Sequence, residues 1–275
     1  METIIQKGSG LVPLIEKQVQ KLAANFYKKL VNKGLNVGEL FEELISQLSI
    51  DILYFDFDQP GVDGKKIHGI YLRSPDVEKR KHKIVINTND NEKTQNFTLA
   101  HELFHHLLME DQTSELAKLL ENDEWLERAG DYFAACFLMN SENFKVTYDF
   151  LSTKDTFEEL VLKLSDAFIT PYESVVRRLV ELNLLPETQN RLLELKEADF
   201  IEMREEIIGP TVLDAPSQKN VFQPYANLIV KGLRNGDITY LEAIKSLNRV
   251  NPKRVQSIEA EYQTKLAAME DDEED

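Results

Sequence analysis

Two histidines and a glutamate in the run His101-Glu102-Leu103-Phe104-His105 have the types and spacing of a metal-dependent hydrolase. Residues four apart lie on one face of an α-helix, so both imidazoles can reach a single metal ion while Glu102 projects beside them. The flanking residues are apolar, and ionisable side chains in such surroundings are costly unless they are paired or bind a metal. The motif therefore predicts a metal site in which Glu102 moves protons. His106 is not counted as a ligand, because it is turned about 100° from His105 around the helix.

A third ligand is expected from a second helix, because two histidines leave a tetrahedral zinc ion one protein ligand short when the fourth position is kept for water. Glu127 is the candidate, and it lies 22 residues after His105. Asp131 follows at the same i, i+4 spacing and would accept a hydrogen bond from the other ring nitrogen of a ligand histidine. An acidic first turn of an ordinary helix is the alternative interpretation of both carboxylates.

With these segments in view, the chain resembles the ImmA/IrrE family of zinc metallopeptidases over about residues 35–185. The similar runs are Phe97-Thr98-Leu99-Ala100-His101-Glu102, residues 127–131, Phe133-Ala134-Ala135, Leu138-Met139 and the strand Lys83-Ile84-Val85-Ile86-Asn87. The chain departs from the family pattern at three places: Phe104 replaces a usual glycine, Gly130-Asp131 replaces Ala-Asn, and Asn140 replaces a frequent proline. Phe104 could narrow the space near the metal.

The resemblance implies a regulatory protease that cleaves a helix-turn-helix transcriptional repressor and thereby derepresses its target genes. The ligand types predict Zn²⁺ held by His101, His105 and Glu127, with Glu102 acting as general base and then as acid. Two alternatives stay open: a non-proteolytic anti-repressor that displaces its repressor, and a DNA-binding regulator that uses residues 155–185. The group that stabilises the oxyanion is not singled out among Tyr132, Tyr148, Tyr172 and Arg177.

The expected fold class is α+β, a zincin-like metallopeptidase domain with a small three-stranded sheet and active-site helices. Helices are predicted over residues 14–33 and 37–48, and strands over 52–55, 67–72 and 83–87. We expect the peptidase domain to span residues 1–185, including a helix-turn-helix-like segment over 155–185. A helical C-terminal extension over 186–267 and an acidic disordered tail over 268–275 follow.

The helix-turn-helix-like segment carries two predicted capping boxes, Thr156-x-x-Glu159 and Thr170-x-x-Glu173, with Pro171 at the first helical position. On its second helix, five residues are expected to be exposed: Tyr172, Glu173, Ser174, Arg177 and Arg178. The segment is either a DNA reader or a buttress of the zinc domain. The buttress is favoured, because one basic pair is too little cation for phosphate contacts.

Composition argues for a cytoplasmic protein without nucleic-acid or membrane partners. Acidic residues number 48 against 32 basic ones, a net charge of −16, and an acidic chain is poorly suited to neutralise a phosphate backbone. The single cysteine, Cys136, excludes an intramolecular disulfide and is expected to be a small buried residue. The sequence shows neither a signal peptide nor an apolar run long enough for a membrane span. It does not indicate an oligomeric state.

Overall fold

The computed structural model describes most of the chain. The described residues are 12–31, 50–55, 66–73, 82–111, 114–120, 122–216 and 223–250, with the separate positions 45, 48, 57, 61, 64, 254, 255, 258, 259 and 262. Apart from positions 45 and 48, the helix predicted over 37–48 lies outside the described residues. The acidic tail predicted over 268–275 also lies outside them.

Three strands form a small mixed sheet, as predicted. They are β1 (Ile50–Phe55), β2 (Gly69–Leu72) and β3 (His82–Asn87), in the spatial order β1-β3-β2. β3 runs parallel to β1 and antiparallel to β2. As the central strand, β3 is buried at five of its six residues, and three consecutive residues within it, Ile84-Val85-Ile86, are all apolar.

Helices make up most of the remaining described chain, so the α+β fold class is confirmed. They are α1 (Val12–Val31), α2 (Glu92–Glu110), α3 (Glu115–Leu119), α4 (Asp123–Leu138), α5 (Ser141–Ser152), α6 (Phe157–Phe168), α7 (Tyr172–Glu181), α8 (Glu197–Ile207), α9 (Gln223–Asn235) and α10 (Tyr240–Val250). Two 3₁₀ segments, Glu187–Leu193 and Val212–Asp214, flank α8.

The first hydrophobic core lies between α1, the sheet, α2 and α4, and it fixes the position of the metal-binding motif. Asn91 ends the loop after β3 and caps α2, since its side-chain oxygen accepts a hydrogen bond from the Thr94 N–H at 2.8 Å. Leu99, Leu103 and Phe104 of α2 are buried in this core. The motif therefore sits on a helix anchored along its apolar faces.

A second core joins α5, α6, α7 and α8, and it corrects the expectation for the helix-turn-helix-like segment. Tyr172, Ser174 and Arg178 of α7 are buried, not exposed as predicted, whereas Arg177 is exposed. Arg178 is drawn inward because its guanidinium donates to the carbonyl of Met139 and to the carboxylate of Glu181. Pairing of this kind offsets the cost of burying a cation.

Only the first of the two predicted capping boxes forms. Thr156 and Glu159 exchange reciprocal side-chain to backbone bonds at the start of α6. At α7 the N-cap residue is Pro171, whose own side chain makes no capping hydrogen bond, so the prediction of the second capping box is wrong. The carboxylate of Glu173 instead accepts a hydrogen bond from the backbone N–H of Glu197, and Glu197 accepts hydrogen bonds from the first turn of α7. The two helix N-termini cap each other.

Beyond α8, α9 and α10 pack on each other around a third cluster of apolar residues. The 3₁₀ segment Val212–Asp214 is tied back to α2 by a buried ion pair between Lys93 Nζ and Asp214 Oδ1 at 2.8 Å. Within the described residues, no helix is both long enough and apolar enough to cross a membrane.

Candidate metal centre

The packing of α4 against α2 brings three ligand atoms together. Nε2 of His101 lies 3.0 Å from Nε2 of His105. The carboxylate of Glu127 lies 3.2 Å from the first nitrogen and 3.6 Å from the second. We call these three residues the candidate metal centre. The i, i+4 spacing places the histidines on one face of α2, and the start of α4 presents the carboxylate to that face.

The donors of the candidate metal centre fit a tetrahedral zinc ion. Two ligands that each lie 2.0–2.1 Å from such an ion are about 3.3 Å apart, and the three measured separations bracket that value. Two imidazoles and one carboxylate are also the ligand set of a catalytic zinc site that keeps a position for water. The residues present therefore suit the ion that their types predict.

Asp131 lies where it would orient His101 as a metal ligand. Its Oδ1 lies 2.9 Å from Nδ1 of His101, on the ring edge opposite to the ligand nitrogen. Burial by itself would lower the pKa of His101, but the hydrogen bonds to Asp131 and Glu127 raise that pKa to about 10. Without a metal, His101 is therefore a cation at neutral pH. Asp131 occupies the place of the carboxylate that usually fixes the tautomer of a ligand histidine.

The pKa values of the other two residues of the candidate metal centre are lowered. Burial, together with the charge on His101, lowers the pKa of His105. The hydrogen bond from His101 lowers the pKa of Glu127. The cluster thus offers one neutral imidazole and one carboxylate. The third donor, Nε2 of His101, carries a proton that a metal ion would have to displace.

Glu102 lies next to the candidate metal centre, and its side chain is almost buried. Burial raises the pKa of its carboxyl to about 7, although the neighbouring His101 and a hydrogen bond from the backbone N–H of Tyr71 act to lower it. The residue is only 8% exposed. A carboxyl group with a pKa close to neutrality can accept a proton and release it again, which suits a general base that later serves as an acid.

Residues 45–180 match the family model for peptidase M78, described as the IrrE N-terminal-like domain. This part of the chain belongs to the M78 peptidase family. The match includes both helices that form the candidate metal centre, so the domain is a metallopeptidase-like one at the level of the family. The resemblance to ImmA/IrrE proteins is thereby confirmed. A comparison with curated proteins gave no match.

Two glycines that sequence reasoning did not assign to the M78 site allow its close packing. A Cβ atom built on Gly69 of β2 would lie 2.5 Å from Cγ2 of Thr98 and 3.3 Å from Oε1 of Glu102. One built on Gly130 of α4 would lie 2.8 Å from Cε1 of His101. An isolated glycine in a strand is a signal of close backbone approach, and it could have identified Gly69.

We expect Gly69→Ala to reduce peptidase turnover by about 10- to 100-fold while the metal content stays unchanged. The added methyl group must push β2 away from α2, and a displacement of about 1 Å beside a catalytic group costs rates of this order. Metal analysis together with initial rates of cleavage tests the expectation. Gly232→Ala is the matched control, because its added Cβ meets Ile238 at an ordinary 3.5 Å. Equal rates for the two variants would contradict it.

The remaining side chains singled out from the sequence are engaged within the fold. Phe104 is fully buried and packs on Phe133 with ring centroids 5.5 Å apart and on His105 with ring centroids 5.9 Å apart. The Tyr132 hydroxyl accepts a hydrogen bond from Gln20, and that of Tyr172 donates to Asp214 at 2.6 Å. The other two oxyanion candidates also have partners: Tyr148 donates to the carbonyl of Leu184, and Arg177 to Glu173.

Zinc binding at pH 7 should release about one proton per ion at the candidate metal centre. The raised pKa of His101 means that the ring is protonated in the metal-free protein, and a ligand nitrogen must lose its proton. The apparent affinity should therefore fall about tenfold for each unit that the pH drops between pH 9 and pH 7. Calorimetric titration in two buffers of different ionisation enthalpy measures the release. Asp131→Asn should reduce the number of protons released, and binding heats that do not depend on the buffer would disprove the predicted release.

Proposed function

We propose that this protein is a zinc-dependent endopeptidase that cleaves a helix-turn-helix transcriptional repressor at one site and so derepresses its target genes. The observation that carries the proposal is the convergence of the candidate metal centre beside a buried glutamate. Membership of the M78 family supports peptide hydrolysis. The repressor as substrate follows from the resemblance to ImmA/IrrE proteins, and a cytoplasmic location is inferred from the composition of the sequence.

Glu102 has the central role in the proposed chemistry. His101, His105 and Glu127 would hold the zinc ion, which would lower the pKa of a coordinated water from about 15.7 to about 7 and polarise the substrate carbonyl. Glu102 accepts the proton of the attacking water and then delivers it to the leaving amine. Its raised pKa favours both steps at neutral pH.

The substrate backbone has a place to bind along β2. Among the described strands, β2 pairs with β3 alone. The carbonyl of His68 accepts a hydrogen bond from Asn87 of β3, so the next residue, Gly69, directs its backbone groups to the other edge, as does Tyr71. An extended peptide laid along that edge would continue the sheet and run past Glu102. A flexible segment of a repressor can adopt such a conformation.

The packing of α7 argues against a DNA-binding function for residues 155–185. Two of the side chains that would have to face a phosphate backbone, Tyr172 and Arg178, are buried in the second core. The net charge of −16 also opposes binding to nucleic acid. In this proposal the segment is a buttress of the peptidase domain.

Co-incubation of the protein with the repressor encoded beside its gene tests the proposal, with and without a chelator and with intact-mass detection. We expect two fragments whose masses add up to the repressor plus one water, and none when the chelator is present. If the repressor stays intact but leaves its operator DNA, the protein is a non-proteolytic anti-repressor. If the protein itself shifts operator DNA in a salt-dependent way, it is a DNA-binding regulator.

A further inference from the structure

A second group of metal-binding side chains lies on another face of α2. It consists of His82 at the start of β3 and of His106 and Glu110, which are four residues apart on α2. One donor atom from each lies within 4.8 Å of the other two. Nε2 of His82 is 3.5 Å from Oε1 of Glu110, and the two imidazole centroids are 5.0 Å apart.

We propose that His82, His106 and Glu110 form a second binding site for a divalent first-row transition metal ion, separate from the candidate metal centre. Two imidazoles and a carboxylate are a donor set that suits Zn²⁺ and its neighbours in the series. The 3.5 Å between the donor atoms of His82 and Glu110 is close to the ~3.3 Å expected for two ligands of one tetrahedral ion. The widest pair has to close by at most about 1.5 Å, which a side-chain rotation provides.

Tyr71 supplies the outer contact that a ligand histidine normally has. Its hydroxyl oxygen lies 2.7 Å from Nδ1 of His82 and 3.2 Å from Nδ1 of His106. When each Nδ1 carries the hydrogen, both rings donate to this one oxygen, which has lone pairs to accept them. The Nε2 atom of each ring then presents its lone pair to the ion. A single side chain therefore sets the tautomer of both histidines.

Burial further supports the assignment. His82 is 4% exposed and His106 is 5% exposed, so little water reaches the two imidazole rings. Two polar rings in such a place are stabilised when an ion coordinates them. The Glu110 side chain is 51% exposed, and it gives the ion a route from solvent. The two histidines of the site are therefore buried, and its carboxylate faces solvent.

The two sites are connected through one residue. The Tyr71 hydroxyl contacts the histidines of the second site, while its backbone acts to lower the pKa of the nearby Glu102 carboxyl. An ion at the second site would hold Tyr71, and with it the strand that positions the general base. The second site itself does not depend on the proposed peptidase activity, since binding of an ion is measured directly.

Metal analysis after dialysis of the metal-free protein against Zn²⁺, and then against metal-free buffer, tests the proposal. We expect two ions per chain for the unaltered protein and one for Glu110→Gln, which keeps the shape of the side chain but removes its charge. Glu205→Gln, at an exposed helical glutamate on α8, is the matched control and should retain two. Equal ion counts for the unaltered protein and for Glu110→Gln overturn the proposal.

Imidazole ¹⁵N spectra identify the ligands directly, because the chain has five histidines. Addition of Zn²⁺ to Glu127→Ala, in which the candidate metal centre is impaired, should still shift the Nε2 signals of His82 and His106. Tyr71→Phe should lower the affinity of the second site for Zn²⁺ by about 10- to 100-fold, the usual cost of losing an orienting contact. Unmoved His82 and His106 signals overturn the second site, and they leave the peptidase proposal untouched.

Discussion

Glu102→Gln is expected to lower the rate of repressor cleavage by about 10²- to 10⁴-fold, the usual contribution of a general acid–base group. The amide keeps the size of the side chain but can neither accept the proton of the attacking water nor return it to the leaving amine. The ligand atoms lie on other residues, so the zinc content should stay the same. Intact-mass kinetics, together with metal analysis of the same samples, measure both quantities.

Glu205→Gln, the exposed helical glutamate used above, serves as the control for the loss of one negative charge and should cleave at the normal rate. A second check comes from pH. Since burial raises the pKa of Glu102 to about 7 in the metal-free site, and a bound cation favours its ionised form, the activity of the unaltered protein should fall as the pH drops below 7. Cleavage at an unchanged rate by Glu102→Gln would remove this residue from the mechanism.

Local periodicity accounts for the parts of the site that could be predicted from the sequence. His101 and His105 share a face of α2 because of their spacing, and Glu127 shares a face of α4 with Asp131 for the same reason. Helical spacing needs no knowledge of the rest of the fold. The three strands could be anticipated in the same way from their short apolar runs between turn residues.

Contacts between residues distant in the chain account for what could not be predicted. Tyr71 meets Glu102 and His106 only because β2 pairs with β3 and lies against α2. Arg178 is predicted at the surface because it is charged. Its hydrogen bonds to the carbonyl of Met139, directly after α4, and to the carboxylate of Glu181 on α7 draw it inward. Glu173 has the spacing of a capping residue for α7, yet it caps α8, 24 residues further on. No short-range pattern contains these pairings.

Glu127→Ala is expected to weaken zinc binding at the candidate metal centre by about 10²- to 10³-fold. Structural zinc sites in small peptides bind with about 10–16 kcal/mol, and an equal share for one of four ligands is about 2.5–4 kcal/mol. The side chain is 63% exposed, so its removal leaves the core intact and the loss reflects the missing ligand. Competition with a chromophoric chelator measures the affinity, and the Nε2 signals of His101 and His105 report on this site alone.

Asp131→Asn separates ligation from orientation. It leaves the three donor atoms in place and removes the charge that holds Nδ1 of His101, so the zinc affinity corrected for proton competition at His101 should fall about 10- to 100-fold, less than for Glu127→Ala. The order of the two variants is the test, because the distances place Glu127 where a ligand would lie and Asp131 where a positioning residue would lie. Full affinity in Glu127→Ala would mean that the third ligand comes from elsewhere in the chain, and the geometry of α4 against α2 would then have no part in holding the ion.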